Sequence, residues 1–209
     1  MQARFNGQKK LVYDVLFNGV FTGTIQWQYL GQETMDGHTV DTLSLDSNTQ
    51  ILQLLNIESK EKVSLDSQTH LPVKVERNVV FFGKKELIEE MYNQDEGYVK
   101  IIRNNSEAKN DLLYQEKPIH NILSLLYFFP KDIPLVKGKE FYFNLPTQKL
   151  KIKVVSEKTI SINKTKKRVY FLTGSGAKRF NLWLDKRERI PLRLEFIVAV
   201  GKISLVKKD

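Results

Sequence analysis

The chain has 209 residues, 41% of them hydrophobic and 11% aromatic, which supplies enough apolar material for a buried core and excludes a disordered polymer. It contains no cysteine, so disulfides, thiolate nucleophiles and Cys-ligated zinc or iron–sulfur centres are excluded together. The formal net charge of +9 is unevenly placed: residues 137–209 hold 19 Lys and Arg against 6 Asp and Glu, whereas residues 1–136 hold 14 against 18.

The opening MQARFNGQKK is polar and lacks the apolar stretch of an export signal. The longest apolar run, 122–129, is well short of the about 18 residues needed to cross a bilayer. A cytoplasmic protein and the mature form of an exported one are both compatible with this start.

Period-2 alternation then dominates. Tyr13, Val15 and Phe17 face one way, and Ile25, Trp27 and Tyr29 repeat the pattern. Leu71, Val73 and Val75 alternate with Lys74 and Glu76. Strands of this kind keep one face in a core and one in water, as antiparallel sheets do. Turn signals separate them at Asn18-Gly19, Asp36-Gly37 and Glu96-Gly97. Residues 104–117 are polar enough for a connector, which would divide two sub-sheets of one domain spanning 1–209.

One segment departs from this period. Ile119, Ile122, Leu123 and Leu126 follow helical spacing between Pro118 and Pro130, which predicts a helix over 119–129. Leu125, Tyr127, Phe128 and Phe129 make it apolar nearly all round, so it is expected to be buried on several sides. Alternation resumes with Leu150, Ile152 and Val154 against Lys149, Lys151 and Lys153. It continues with Phe180, Leu182 and Leu184 against Trp183, and with Leu192, Leu194 and Phe196. Further turns are expected at Gly174-Ser175-Gly176 and Val200-Gly201. Ten to thirteen strands are predicted in all. The fold class is mainly β: a curved antiparallel sheet or an open, partly closed barrel-like domain with one short buried helix.

No constellation predicts catalysis, a cofactor or a metal. His38, His70 and His120 are far apart and read as surface or capping residues. Gly174-Ser175 fails the spacing of a nucleophile elbow, and the strand FNLWL follows where a phosphate-binding loop needs a helix. The acidic group Glu86, Glu89, Glu90, Asp95 and Glu96 reads as a solvated edge or turn. The basic run Lys164 to Arg168 reads as a hairpin loop without the interleaved aromatics of a single-strand nucleic-acid platform. The basic half reads first as a soluble Lys-rich surface and otherwise as attracting an anionic partner such as a membrane surface, with Lys151, Lys153, Lys166, Lys167 and Arg168 as candidate contacts. Trp27, Leu126, Tyr127, Phe128 and Trp183 are candidates to line an apolar cleft.

The order of segments resembles the bacterial domain-of-unknown-function family 3108. The resemblance rests on Tyr13 to Val20 with Gly23, on Leu71 to Lys74, and on Ile122 to Phe128 followed by Pro134-Leu135 and Gly138. It is carried furthest by Phe180 to Asp185, Arg189 to Glu195 and Val200 to Ile203. Residues 31–66 and 84–115 carry no match. The resemblance implies a β-rich, exported or envelope-associated protein, periplasmic or at the outer membrane, shaped like lipoprotein carriers with an open barrel. The expected role is non-catalytic binding of a lipid or other amphiphile; the alternative is a module that holds a protein partner through a sheet face or edge.

Overall fold

The computed structural model describes residues 10–51, 55–104, 108–127, 129 and 133–208. Eight strands come first: β1 (Lys10–Phe17), β2 (Val20–Met35), β3 (His38–Ile51), β4 (Leu55–Asp66), β5 (Pro72–Phe81), β6 (Lys84–Asn93), β7 (Tyr98–Asn104) and β8 (Lys109–Tyr114). A short helix, α1 (Ile122–Tyr127), precedes six more: β9 (Glu140–Leu145), β10 (Gln148–Ile162), β11 (Thr165–Ser175), β12 (Arg179–Asp185), β13 (Pro191–Val198) and β14 (Gly201–Lys207). All fourteen join one antiparallel sheet in the order β8-β7-β6-β5-β4-β3-β2-β1-β14-β13-β12-β11-β10-β9. The expected sub-sheet boundary at 104–117 is therefore absent, and part of that segment is β8 itself. The chain makes two meanders, and the pairing of Tyr13 with Lys207 and Phe17 with Ile203 joins them.

Alternation gives the sheet one apolar face. Leu11, Tyr13 and Val15 share it with Trp27, Leu43, Val63, Val75 and Val99 in one half, and with Ile152, Leu172, Leu182, Leu194 and Leu205 in the other. Register shifts at Val15/Leu16, Tyr29/Gly31 and Val154/Ser156 mark bulges, which bend strands and curl the sheet toward that face. Gly23 sits at such a crowded point: a Cβ there would lie 2.1 Å from the Asn48 carbonyl oxygen, so only glycine lets β2 and β3 approach.

The sheet edges, β8 and β9, do not pair with each other. Residues 115–120 lace them together instead. The Gln115 amide donates to the Gly97 carbonyl (2.9 Å) and its side chain to the Pro146 carbonyl (3.1 Å). Asn144 on β9 donates to the Glu116 carbonyl (2.8 Å) and accepts from the His120 amide (2.7 Å). Turns after odd-numbered strands lie on one rim of this open barrel, called here the upper rim; turns after even-numbered strands lie on the lower rim.

The buried helix is present but shorter than 119–129. Ile119 cannot be helical because its amide and carbonyl both bond the Gln94 side chain (3.0 and 2.8 Å). Asn121 caps the helix instead, accepting from the Leu123 amide at 2.7 Å. Pro118 thus lies in the turn before the cap, not in the first helical turn. The basic run is also placed differently: Lys164 is in the turn, whereas Lys166, Lys167 and Arg168 belong to β11, paired with Ser161, Ile160 and Thr159.

Leu126 is buried within the main core. Leu126→Asp buries an unpaired carboxylate and is expected to cost about 4 kcal/mol or more in urea unfolding. A cost below about 1 kcal/mol, the range of an ordinary surface change, would show that α1 is not seated on the sheet.

Candidate functional site

The concave face is not uniformly apolar. The inward row Leu11, Trp27, Leu45, Glu61, Arg77, Ile88 and Arg103 runs from strand to strand through the paired register. Charged groups therefore occupy core-facing positions on β4 to β7. Arg77 forks onto Glu61, with Nε to Oε2 at 2.7 Å and a second bond at 3.1 Å, and approaches Glu90 at 3.6 Å. Both carboxylates are buried. Burial pulls the Arg77 guanidinium toward its neutral form, but Glu61 and Glu90 outweigh it and hold the charge firmly in place. Tyr92 donates to Glu90 at 2.6 Å, and its phenol is pushed well up by burial and by that carboxylate. The Asn121 side chain, the cap of α1, faces the Tyr92 hydroxyl in turn and eases its shift. A continuous polar chain from Glu61 to the helix cap thus crosses the wall. Glu90 is a correction to the solvated reading of the acidic group, since its side chain points inward between Ile88 and Tyr92.

A second polar group lies beneath the other end of α1. Buried Asp41 accepts from Tyr29 (2.7 Å) and Gln32 (3.2 Å), with His70 Nδ1 at 3.4 Å. Tyr127 stands beside it: burial raises its phenol most, with Tyr29 and Asp41 adding to the shift. His120 lies before the helix rather than on it and is half-buried. Its ring meets Phe143 edge-on at 5.3 Å, and burial lowers its pKa to about 4. Among the described residues, no three His, Cys, Asp or Glu side chains gather as a metal-binding group.

Of the residues expected to line a cleft, Trp27, Leu126 and Tyr127 come together on the concave side. Phe128 lies outside the described residues. Trp183 is on the opposite face of β12 from Leu182 and Leu184, stacked on Phe171 at 5.0 Å, with Lys158 and Arg193 over the pair. The two basic groups do not meet. Lys151 pairs across from Ser175 and Lys166 from Ser161, so they stand about 33 Å apart along β10. Lys151 and Lys153 share Glu140 (2.9 and 3.6 Å), and Arg168 reaches Glu157 (3.6 Å).

Two open features stand out among the described residues. The first is a groove of about 450 Å³ on the outer face of β3 to β6, lined by Asp46, Lys60, Lys62, Glu76 and Glu89. The second is the mouth of the barrel. The described anchors of α1 lie toward the lower rim, and Ile25, Leu45, Ile88, Phe196 and Ile203, which share the concave face toward the upper rim, are half-buried. They form an apolar floor beside the Glu61–Arg77 pair.

A curved, unclosed antiparallel sheet around a short helix defines a β-barrel-like protein. Its fold is shared with a β-barrel-like protein of domain-of-unknown-function family 1849 from Brucella abortus: TM-score 0.62, 9% identity, over 96% of this chain and 95% of that one. Two further structures align over 96% of this chain with a TM-score of only 0.31 and 8% identity. They are a provisionally named lipoprotein from Parabacteroides distasonis, covered over 93%, and a provisionally named exported protein with a YmcC-like fold from Bacteroides fragilis, covered over 95%. No family model and no curated protein matches the chain.

Two outcomes follow from these contacts. Arg77→Met strands two buried carboxylates and is expected to cost about 3–5 kcal/mol in urea unfolding, most of it recovered when Glu61→Gln and Glu90→Gln are added. Equal stability of the single and triple variants would show that the pairs are not coupled. The folded pKa of His120 lies below its unfolded value near 6.5, so the unfolded chain takes up the proton first. Its contribution is complete above pH 6.5 and is lost as pH falls toward 4. His120→Phe should flatten that part of the stability–pH curve; an unchanged slope would place the ring in water.

Proposed function

We propose that this is a non-catalytic binding protein of the bacterial envelope, periplasmic or outer-membrane-associated, that receives a lipid or other amphiphile in the mouth of the open barrel. The observation that carries the reading is the half-buried floor of Ile25, Leu45, Ile88, Phe196 and Ile203, on the side of the barrel away from the anchors of α1. Concave, mainly apolar surfaces with a few placed polar groups are what small amphiphiles occupy. The hydrocarbon portion would lie on the floor and the polar portion beside the charged row, where Arg103 pairs with Asp111 and Arg77 with Glu61. The segment order resembling family 3108 supports the envelope assignment.

A second reading, a module that binds a protein along a sheet edge, is favoured by exposed Leu112 and Tyr114 on β8 and Tyr142 on β9. Each of these edge strands has only six residues, a length that limits strand addition.

The test is native mass spectrometry of the protein purified from a bacterial envelope without detergent. A small amphiphile is expected to travel with it at up to one per chain and to be absent from the Ile25→Asp, Ile203→Asp variant once circular dichroism shows that variant folded. Protein that carries no amphiphile, and that leaves the emission of a fluorescent fatty acid unchanged, would overturn the proposal.

A further inference from the structure

The exposed apolar side chains are not spread evenly around the barrel. Val20 and Phe21 follow the β1–β2 turn, Phe81 and Phe82 form the tip of β5–β6, and Ile197 and Val200 flank the β13–β14 turn. All six are on the upper rim, and Val200 is 78% and Val20 68% exposed. No exposed large hydrophobic residue lies among the described residues of the lower-rim hairpin turns, which instead carry mixed charge: Asp36, Asp66, Asp95, Glu96, Asp185 and Glu188 with Lys164, Lys186, Arg187 and Arg189. Outside those turns, exposed Tyr114 ends edge strand β8 and exposed Val136 precedes β9, both toward the lower-rim ends of these strands. Such a concentration of exposed apolar side chains at neighbouring hairpin tips marks a contact surface.

The tips are also built to present these groups. The β1–β2 and β13–β14 turns are locked side by side, since the Asn18 amide donates to the Lys202 carbonyl (2.8 Å) and the Lys202 amide donates to Asn18 Oδ1 (2.8 Å). Phe82 has φ +50 and Gly83 φ +73, the pattern of a tight hairpin turn. The first of these positions suits Asn, Asp or Gly, and a bulky aromatic there is strained. Phe82 nonetheless occupies it, with its ring edge-on to Phe81 at 4.5 Å and 61% of the residue exposed. Strain kept at a solvent-facing position points to a function for the side chain. Cations flank the tips: Lys84 and Lys85 after Phe82, Lys202 after Val200, and Lys178 and Arg179 at the β11–β12 turn, against Glu86 as the one acid among the described residues of these four tips.

We propose that the upper rim is a membrane-docking surface: the hairpin tips insert their apolar side chains among the lipids of an anionic bilayer while the flanking Lys and Arg meet the headgroups. The charge chooses the occupant. A second copy of the chain would set like charges against each other, whereas an anionic lipid surface complements them. Aromatic tips with adjacent lysines are the arrangement that settles at the bilayer interface. The docking surface goes beyond the amphiphile reading and does not require it, although it would turn the mouth of the barrel toward the bilayer.

The test is co-sedimentation of the full chain with vesicles of equal parts phosphatidylglycerol and phosphatidylcholine, against phosphatidylcholine alone, over a salt series. Binding to the anionic vesicles is expected, weakening as salt rises. Phe82→Asn with Val200→Ser should lower vesicle affinity by about tenfold or more, since each removes a buried apolar group. Asn suits the turn better than Phe, so thermal unfolding should show a midpoint as high as that of the parent or higher. Lys84→Glu with Lys85→Glu should lower anionic binding by roughly tenfold or more without touching the apolar tips. Emission from Phe82→Trp should be quenched by brominated lipid. Equal affinity of parent and variants would overturn the proposal, as would sedimentation analysis showing a lipid-free dimer that Phe82→Asn dissolves. Loss of amphiphile from the Ile25→Asp, Ile203→Asp variant with vesicle binding intact would separate the two readings.

Discussion

The position of α1 depends on one polar chain that crosses the wall of the barrel. A helix of six residues has no stability of its own, because the cost of nucleation is hardly recovered over so few bonds. Apolar packing holds Leu125 and Leu126 on the sheet, but hydrophobic contact is non-directional and permits sliding. Asn121 removes that freedom. Its side chain caps the helix and also faces the hydroxyl of Tyr92, which is tied to Glu90 and through Arg77 to Glu61. Each member has a partner, the condition under which a buried polar network fixes geometry. The register of β4, β5 and β6 therefore sets where the helix starts and how much of the concave face it covers.

The same chain explains why the interior has two regimes. Toward the lower rim, the helix and its polar anchors close the core. Toward the upper rim, nothing among the described residues covers Ile25 or Ile203. The external surface also differs between the two ends, with charges of both signs in the lower turns and apolar side chains with cations in the upper ones. Inside and outside thus agree on a direction for the molecule, and the amphiphile reading and the docking surface use the same end of it.

The β class was legible because burial of one face writes period 2 directly into the sequence, as in Tyr13, Val15 and Phe17. Strands whose outward positions are polar and whose inward ones include charges were harder to see. β3 runs through Ser44, Asp46 and Asn48, and β8 lies inside a segment that reads as a connector. The charged row had a signal that alternation alone offers: Glu61 precedes Val63 and Leu65 at spacing two, and Glu90 sits between Ile88 and Tyr92. A carboxylate in phase with apolar neighbours belongs to the core side, and its partner Arg77 stands two residues after Val75. Trp183 could be placed on the outer face by the same rule, since it is out of phase with Leu182 and Leu184. The upper rim was not legible, because assigning Phe82 and Val200 to one end requires the parity of every strand between them. The separation of Lys151 from Lys166 likewise depends on β10 being fifteen residues long, and no local pattern fixes that length.

The strand order also constrains how the sheet assembles. Every neighbour pair but one is formed by consecutive strands, with short loop closures that form early. The exception is β1 with β14, which brings Tyr13 to Lys207 from opposite ends of the chain. Two meanders, one of eight strands and one of six, can therefore grow independently, but β1 stays an unsatisfied edge until the last strand exists. Contacts so distant in sequence slow folding, and an open edge invites pairing with other chains. On a ribosome or during passage across a membrane, the order of synthesis leaves the first strand exposed for the whole length of the chain, so a holding partner that covers β1 would have the most to protect.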